Sequence, residues 1–135
     1  MSRPKVSNVL NVLSELPETL LSELFEDATA YDLRDGEALF RAGDVGDGCY
    51  RIQTGLVKIV VASQQGEERI ISLLGPGAIV GELSMIDGRP RSASVVAIAD
   101  CSLSFVSRAK FQTYVWSLGL QIGASTILSR RMSVI

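Results

Sequence analysis

Between residues 29 and 106 the sequence breaks into short apolar stretches rich in Val, Ile, Leu and Tyr, separated by turns that carry glycine, and this punctuation leaves few architectures open. Stretches of this length with β-branched and aromatic residues favour strands, because such side chains pack well on a pleated, half-buried surface. The spacing predicts strands near 30–34, 38–41, 49–53, 56–62, 68–74, 93–98 and 102–106, with a shorter apolar piece at 78–80. Asp35 and Gly36, Gly43 and Asp44, Thr54 and Gly55, Gln64 to Gly66, and Gly75 to Gly77 mark the reversals. Each supplies a residue that tolerates a left-handed backbone. Many short strands at regular intervals predict a mainly β fold, an antiparallel roll of the jelly-roll or double-stranded β-helix kind, at about 29–106.

Helical periodicity flanks the roll. Val9, Leu10, Leu13, Leu16, Leu20, Leu21, Leu24 and Phe25 recur mostly three or four apart, which predicts N-terminal helices over about 5–28. Pro17 divides that stretch and suits the first turn of the second helix, with Glu18 at its positive end. At the other end Ser107 is the expected N-cap of a helix through Lys110, Phe111 and Trp116. A last helix is expected from about Leu118, so that C-terminal helices occupy about 107–133. Its stripe of Ala124, Ile127, Leu128, Met132 and Ile135 suits either a dimer seam or packing on the roll. The chain has 135 residues, the size of one domain, and we read 1–135 as a single unit.

Composition removes several chemistries. The chain has no histidine, which excludes Ser-His and Cys-His relays, histidine bases and histidine metal sites. Cys49 and Cys101 form no CxxC pair and read as small buried hydrophobes, so we expect no metal. No paired catalytic carboxylates are evident, and we expect no enzyme. Thirteen Lys and Arg against fifteen Asp and Glu give a net charge of -2, which disfavours direct nucleic-acid binding. No apolar run suggests a signal peptide or a membrane span, so a cytoplasmic protein is expected.

Residues 81–95, GELSMIDGRPRSASV, differ from the rest. Gly81 allows close backbone approach, a Glu-Leu-Ser-Met stretch can form one helical turn, and Asp87 and Gly88 end it. N–H groups at the start of such a turn suit an anion. Arg91 offers a planar fork of donors that matches phosphate oxygens, and Ser92 adds a hydroxyl. Glu82 would repel a bare phosphate, but it can accept from a sugar hydroxyl. A nucleotide monophosphate uses both charges. Alternatively, Glu82 favours the start of its turn electrostatically and Arg91 pairs with Glu82 or Asp87 at the surface.

At this point the sequence resembles the cyclic nucleotide-binding domain family, which includes catabolite activator proteins, cyclic-AMP-dependent kinase regulatory subunits and cyclic-nucleotide-gated channels. The resemblance covers about residues 15–132. It rests on FRAGDVGDGCYRIQTGLVKIVV, similar to the family's glycine-punctuated early strands, and on LLGPGAIVGELSMIDGRPRSASVVA, similar to its phosphate-binding cassette. It implies a cassette at 81–92, with Gly81 as its first glycine, Glu82 on the ribose 2′-hydroxyl and Arg91 on the cyclic phosphate. Leu83 and Ser84 would contribute backbone N–H groups, and Ser92 is the small residue after the arginine. Serine rather than threonine there tilts the ligand towards cyclic AMP and leaves cyclic GMP open. Ile79, Val80 and Val95 would wall the sugar and base. Arg89 is expected to be solvated.

The resemblance further implies a sensor that signals by moving its C-terminal helix, with a homodimer or an attached effector left open. Two alternatives remain. One is the sensory domain of a catabolite-activator-like regulator without its DNA-binding part. The other is a non-binding interaction module.

Overall fold

A computed structural model describes Leu13 and residues 16–117. The proposed helix starts before residue 13 and the final helix after residue 117 lie outside the described residues. Within them the chain forms strands β1 (Thr29–Leu33), β2 (Ala38–Phe40), β3 (Gly48–Thr54), β4 (Val57–Ala62), β5 (Glu68–Leu74), β6 (Ile79–Val80), β7 (Ser94–Ala97) and β8 (Cys101–Ser107). Three helices accompany them: α1 (Glu18–Leu24), α2 (Glu82–Asp87) and α3 (Arg108–Ser117).

The strands build two four-stranded sheets in the orders β1-β8-β3-β6 and β2-β7-β4-β5. Their pairings are antiparallel. Because β1, β2, β3 and β4 fall alternately in the two sheets, the sheets face each other and roll around a shared interior. The mainly β roll expected from the punctuation is therefore present, with helices at its flanks.

Side-chain alternation along a strand sends neighbours to opposite faces. Where β6 lies against β3 both faces of the first sheet are covered, so adjacent Ile79 and Val80 both disappear from solvent but join different clusters, whereas the edge strand β1 exposes all its residues but Leu33. Val80, Ile52 and Leu103 fill the interior of the roll with Val57 and Val95 of the second sheet. Ile79, Cys49 and Val106 face the helices and meet Leu13, Leu24, Met85 and Phe111. Each fully buried branched aliphatic side chain contributes about 1.5–3 kcal/mol relative to its exposed state. The far edge is less covered: β5 ends the second sheet and leaves Ile70 and Leu73 in solvent.

Helix boundaries follow local chemistry. Pro17 precedes α1 with φ −55° and ψ 146°, and Glu18 stands in the first turn. Ser107 caps α3, its hydroxyl accepting from the Lys110 N–H at 3.0 Å. The Tyr114 hydroxyl of α3 donates to Glu23 Oε1 at 2.8 Å and lies 3.2 Å from the Leu20 carbonyl, which joins α3 to α1. Trp116, the penultimate residue of α3, is 78% exposed.

Candidate functional site

The cassette leaves β6 through Gly81, whose φ of 84° lies in the left-handed region. A Cβ there would stand 2.6 Å from Arg91 Nη1 and 3.2 Å from the Phe40 ring. Glycine is thus required twice, by backbone conformation and by the guanidinium against it. Helix α2 then makes six residues and ends on Gly88, again left-handed at φ 74°, with its N–H on the Ser84 carbonyl at 2.7 Å.

Arg91 returns beneath this helix, and the two sequence blocks meet there. Its backbone N–H donates to the Asp44 carbonyl at 2.8 Å, and its carbonyl accepts from the Gly43 N–H at 2.8 Å. The glycine turn between β2 and β3 therefore clamps the arginine's main chain. The side chain is 4% exposed. Nη1 donates to the Gly81 carbonyl at 2.7 Å and Nη2 to the Gly48 carbonyl at 2.9 Å. Cζ lies 4.1 Å from the centre of the Phe40 ring, a cation–π contact. Among the described residues the ion pairs are Arg51 with Glu18, Lys58 with Glu68 and Arg89 with Asp87, and Arg91 has none. Its Nε is buried and has no hydrogen-bond partner there. Burial consequently depresses the guanidinium pKa, with Tyr50 and Asp47 opposing.

Arg91 lines a hollow of about 390 Å³, open mouth included. Gly81, Leu83, Ser84 and Ser92 lie on the same wall, and Phe40, Ile59, Ile79, Val80, Ala93 and Val95 form the apolar remainder. Ser92 is exposed at the rim, whereas Ser84 is buried with its hydroxyl 3.3 Å from the Pro90 carbonyl. The structure thus brings together Gly81, Leu83, Ser84, Arg91 and Ser92, along with the apolar wall of Ile79, Val80 and Val95. Arg89 is 70% exposed beside Asp87.

Glu82 is elsewhere. It is wholly buried but is not on the wall of the hollow. The reason is helical geometry: Glu82, Met85 and Ile86 stand at i, i+3 and i+4 and share the buried face of α2. Its Oε2 accepts from the backbone N–H of Leu13 at 2.5 Å. The sequence-based expectation of carboxylate and guanidinium facing one cavity does not describe this state. Both charges nevertheless act on one neighbour, since burial raises the Cys49 thiol pKa, Glu82 adds to that and Arg91 opposes it.

Phe40 was not foreseen as a site residue. In sequence it is one more apolar strand position, and only the register that brings β2 beside β7 places it over Arg91. Its ring also leans on Tyr50, which packs against Tyr31 and Phe105.

A β-roll that opens beside a buried arginine with no ion pair among the described residues presents a hollow suited to a small anion. Comparison with known proteins is in agreement. The family model described as "Cyclic nucleotide-binding domain" matches residues 32–115, and the chain belongs to that family. It is 35% identical over 98 residues to the cyclic AMP receptor protein of Thermus thermophilus, covering 72% of this chain and 45% of that protein. Among solved structures, the EAL enzyme Bd1971 in a half-site-occupied form superposes with a TM-score of 0.71 at 30% identity, covering 80% of this chain and 99% of that one. The regulatory domain of Toxoplasma gondii PKA with cAMP gives a TM-score of 0.67 at 26% identity, covering 83% and 44%. The chain spans less than half of the curated receptor it matches. None of the helices among the described residues is long and apolar enough to cross a membrane.

Proposed function

We propose that this chain is the sensor part of a cytoplasmic regulator, that it takes cyclic AMP in the hollow beside Arg91, and that it signals by moving its C-terminal helix. The observation that carries the reading is Arg91 itself. A buried cation without an ion-pair partner among the described residues is costly, and an arriving phosphodiester would offset that cost with charge-assisted hydrogen bonds. The apolar wall of Ile79, Val80 and Val95 suits the sugar and base, and Gly81, Leu83, Ser84 and Ser92 line the phosphate end. Ser92 in place of threonine favours cyclic AMP over cyclic GMP. Glu82 takes the ribose 2′-hydroxyl only after turning from its present partner. Helix α3 is suited to respond, because Phe111 packs in one cluster with Met85 and Ile86 of α2. Binding then shifts populations by its preference for the state that ligand contacts stabilise. The role is one of binding, without turnover, metal or nucleic-acid contact by this chain.

A second reading makes the chain the sensory portion of a transcription regulator. The match to the cyclic AMP receptor protein, of which it spans 45%, favours that reading, and a helix-turn-helix later in the native reading frame would establish it. In either case the output is a homodimer partner or an attached effector.

Calorimetric titration of both cyclic nucleotides tests the reading. Saturable binding with cyclic AMP tighter than cyclic GMP is expected. Neither heat nor thermal stabilisation with either ligand at millimolar concentration would make the chain a non-binding interaction module instead.

A further inference from the structure

We propose that the ligand and the amino-terminal segment exchange places on Glu82: the Leu13 N–H held by the carboxylate in this state is the donor that a ribose hydroxyl displaces. The inference rests on the cyclic-nucleotide reading above and assigns the regulation of that site.

Three observations carry it. Glu82 is fully buried and off the wall of the hollow, so it reaches an occupant only by rotating. Rotation breaks the 2.5 Å contact between Oε2 and the Leu13 N–H. Leu13 is itself fully buried, and a backbone N–H left there without an acceptor is costly, so the turn at Leu13 must shift when the carboxylate leaves.

That turn belongs to the helical side of the molecule. The Leu16 N–H donates to the Leu13 carbonyl at 3.0 Å, and the Leu13 side chain shares a cluster with Leu21, Leu24 and Phe111. Helix α1 is fastened in turn to α3 through Tyr114. One carboxylate therefore stands between the nucleotide and the packing of both helices. An occupied site releases the Leu13 clasp, and a held clasp opposes occupation.

Amide hydrogen exchange at Leu13, read by NMR in the full 135-residue chain, tests the exchange of donors. It is measured free, saturated with cyclic AMP, and saturated with 2′-deoxy cyclic AMP, with saturation fixed by calorimetry. Cyclic AMP should accelerate Leu13 exchange about ten-fold or more, equivalent to at least about 1.4 kcal/mol of lost protection. The 2′-deoxy compound, which lacks the displacing hydroxyl, should leave it protected. Unchanged protection with cyclic AMP bound overturns the inference and leaves the binding reading standing. Equal loss with both compounds also overturns it, because movement would then not require the hydroxyl. Absence of binding removes both readings. In the free protein Glu82→Gln, which keeps an acceptor but not the charge, should speed Leu13 exchange; exchange as slow as in the unsubstituted chain would show that the carboxylate is no clasp.

Discussion

Arg91 and Glu82 belong to one cassette and are both almost fully buried, yet they serve opposite sides of the first sheet. On the roll side, Arg91 has two backbone carbonyls and an aromatic face but no ion-pair partner among the described residues, and it borders open space. On the helical side, Glu82 holds the backbone N–H of Leu13 and shares the buried face of α2 with Met85 and Ile86. Burial of a charge therefore says little about its task until its partners are known. A cation held mainly by neutral dipoles is ready for an anion, whereas a carboxylate that holds its donor away from the hollow must turn to reach a ligand there.

The difference can be broken from either side. The largest effect is expected at Gly81, where alanine would combine a left-handed φ with a Cβ against Arg91. Gly81→Ala should abolish measurable nucleotide binding and cost about 1–3 kcal/mol in denaturant unfolding. Arg91→Ala should weaken cyclic nucleotide affinity about ten-fold or more in calorimetry, since charge-assisted bonds contribute about 1.5–3 kcal/mol each. Affinity within about two-fold of the unsubstituted chain would remove the phosphate role, a two-fold change being only about 0.4 kcal/mol. Arg91→Lys should restore little, because an ammonium cannot reproduce the planar fork on Gly81 and Gly48.

Glu82→Ala should reduce affinity for ribose cyclic nucleotides more than for 2′-deoxy analogues, and equal losses would take the hydroxyl away from it. Phe40→Leu sharpens the roll side alone: losing the ring over the guanidinium should cost about 0.5–2 kcal/mol of stability, smaller than the Gly81 effect. The smallest effect lies in the link between helices. Burial and the Glu23 contact push the Tyr114 pKa up to about 12 from an ordinary 10.0. In that window the unfolded chain has lost the phenolic proton and the folded one keeps it, so stability falls as pH rises from about 10 to 12. Tyr114→Phe should remove that portion of the alkaline slope in urea titrations.

Much of this was legible in the residues. Glycine-bearing turns and β-branched runs locate the strands to within a residue or two, and Ser107 announces α3 correctly. The boundaries that moved did so for tertiary reasons. β3 begins at Gly48 and β8 extends through Ser107 because these two residues pair with each other. The cassette's glycines were also readable, since only glycine suits both left-handed ends of α2. The orientation of Glu82 was available too: three and four residues ahead of Met85 and Ile86, it lies on the apolar face of a one-and-a-half-turn helix. The charge chemistry of Glu82 and Arg91 points towards one shared cavity, but packing on the apolar face of α2 decides where the carboxylate lies. Phe40 was not legible, because its role depends on a pairing of β2 with β7, distant in sequence, that no local pattern encodes. The clamp on the main chain of Arg91 likewise joins turns that are distant in sequence.

The lone tryptophan sits where it can serve the experimentalist. Trp116 projects from the helix that Tyr114 ties to α1, with most of its indole in water. Its emission will be red-shifted and open to collisional quenchers such as iodide. Any event that covers or reorients that helix will be visible optically, without a label, against a background of three tyrosines.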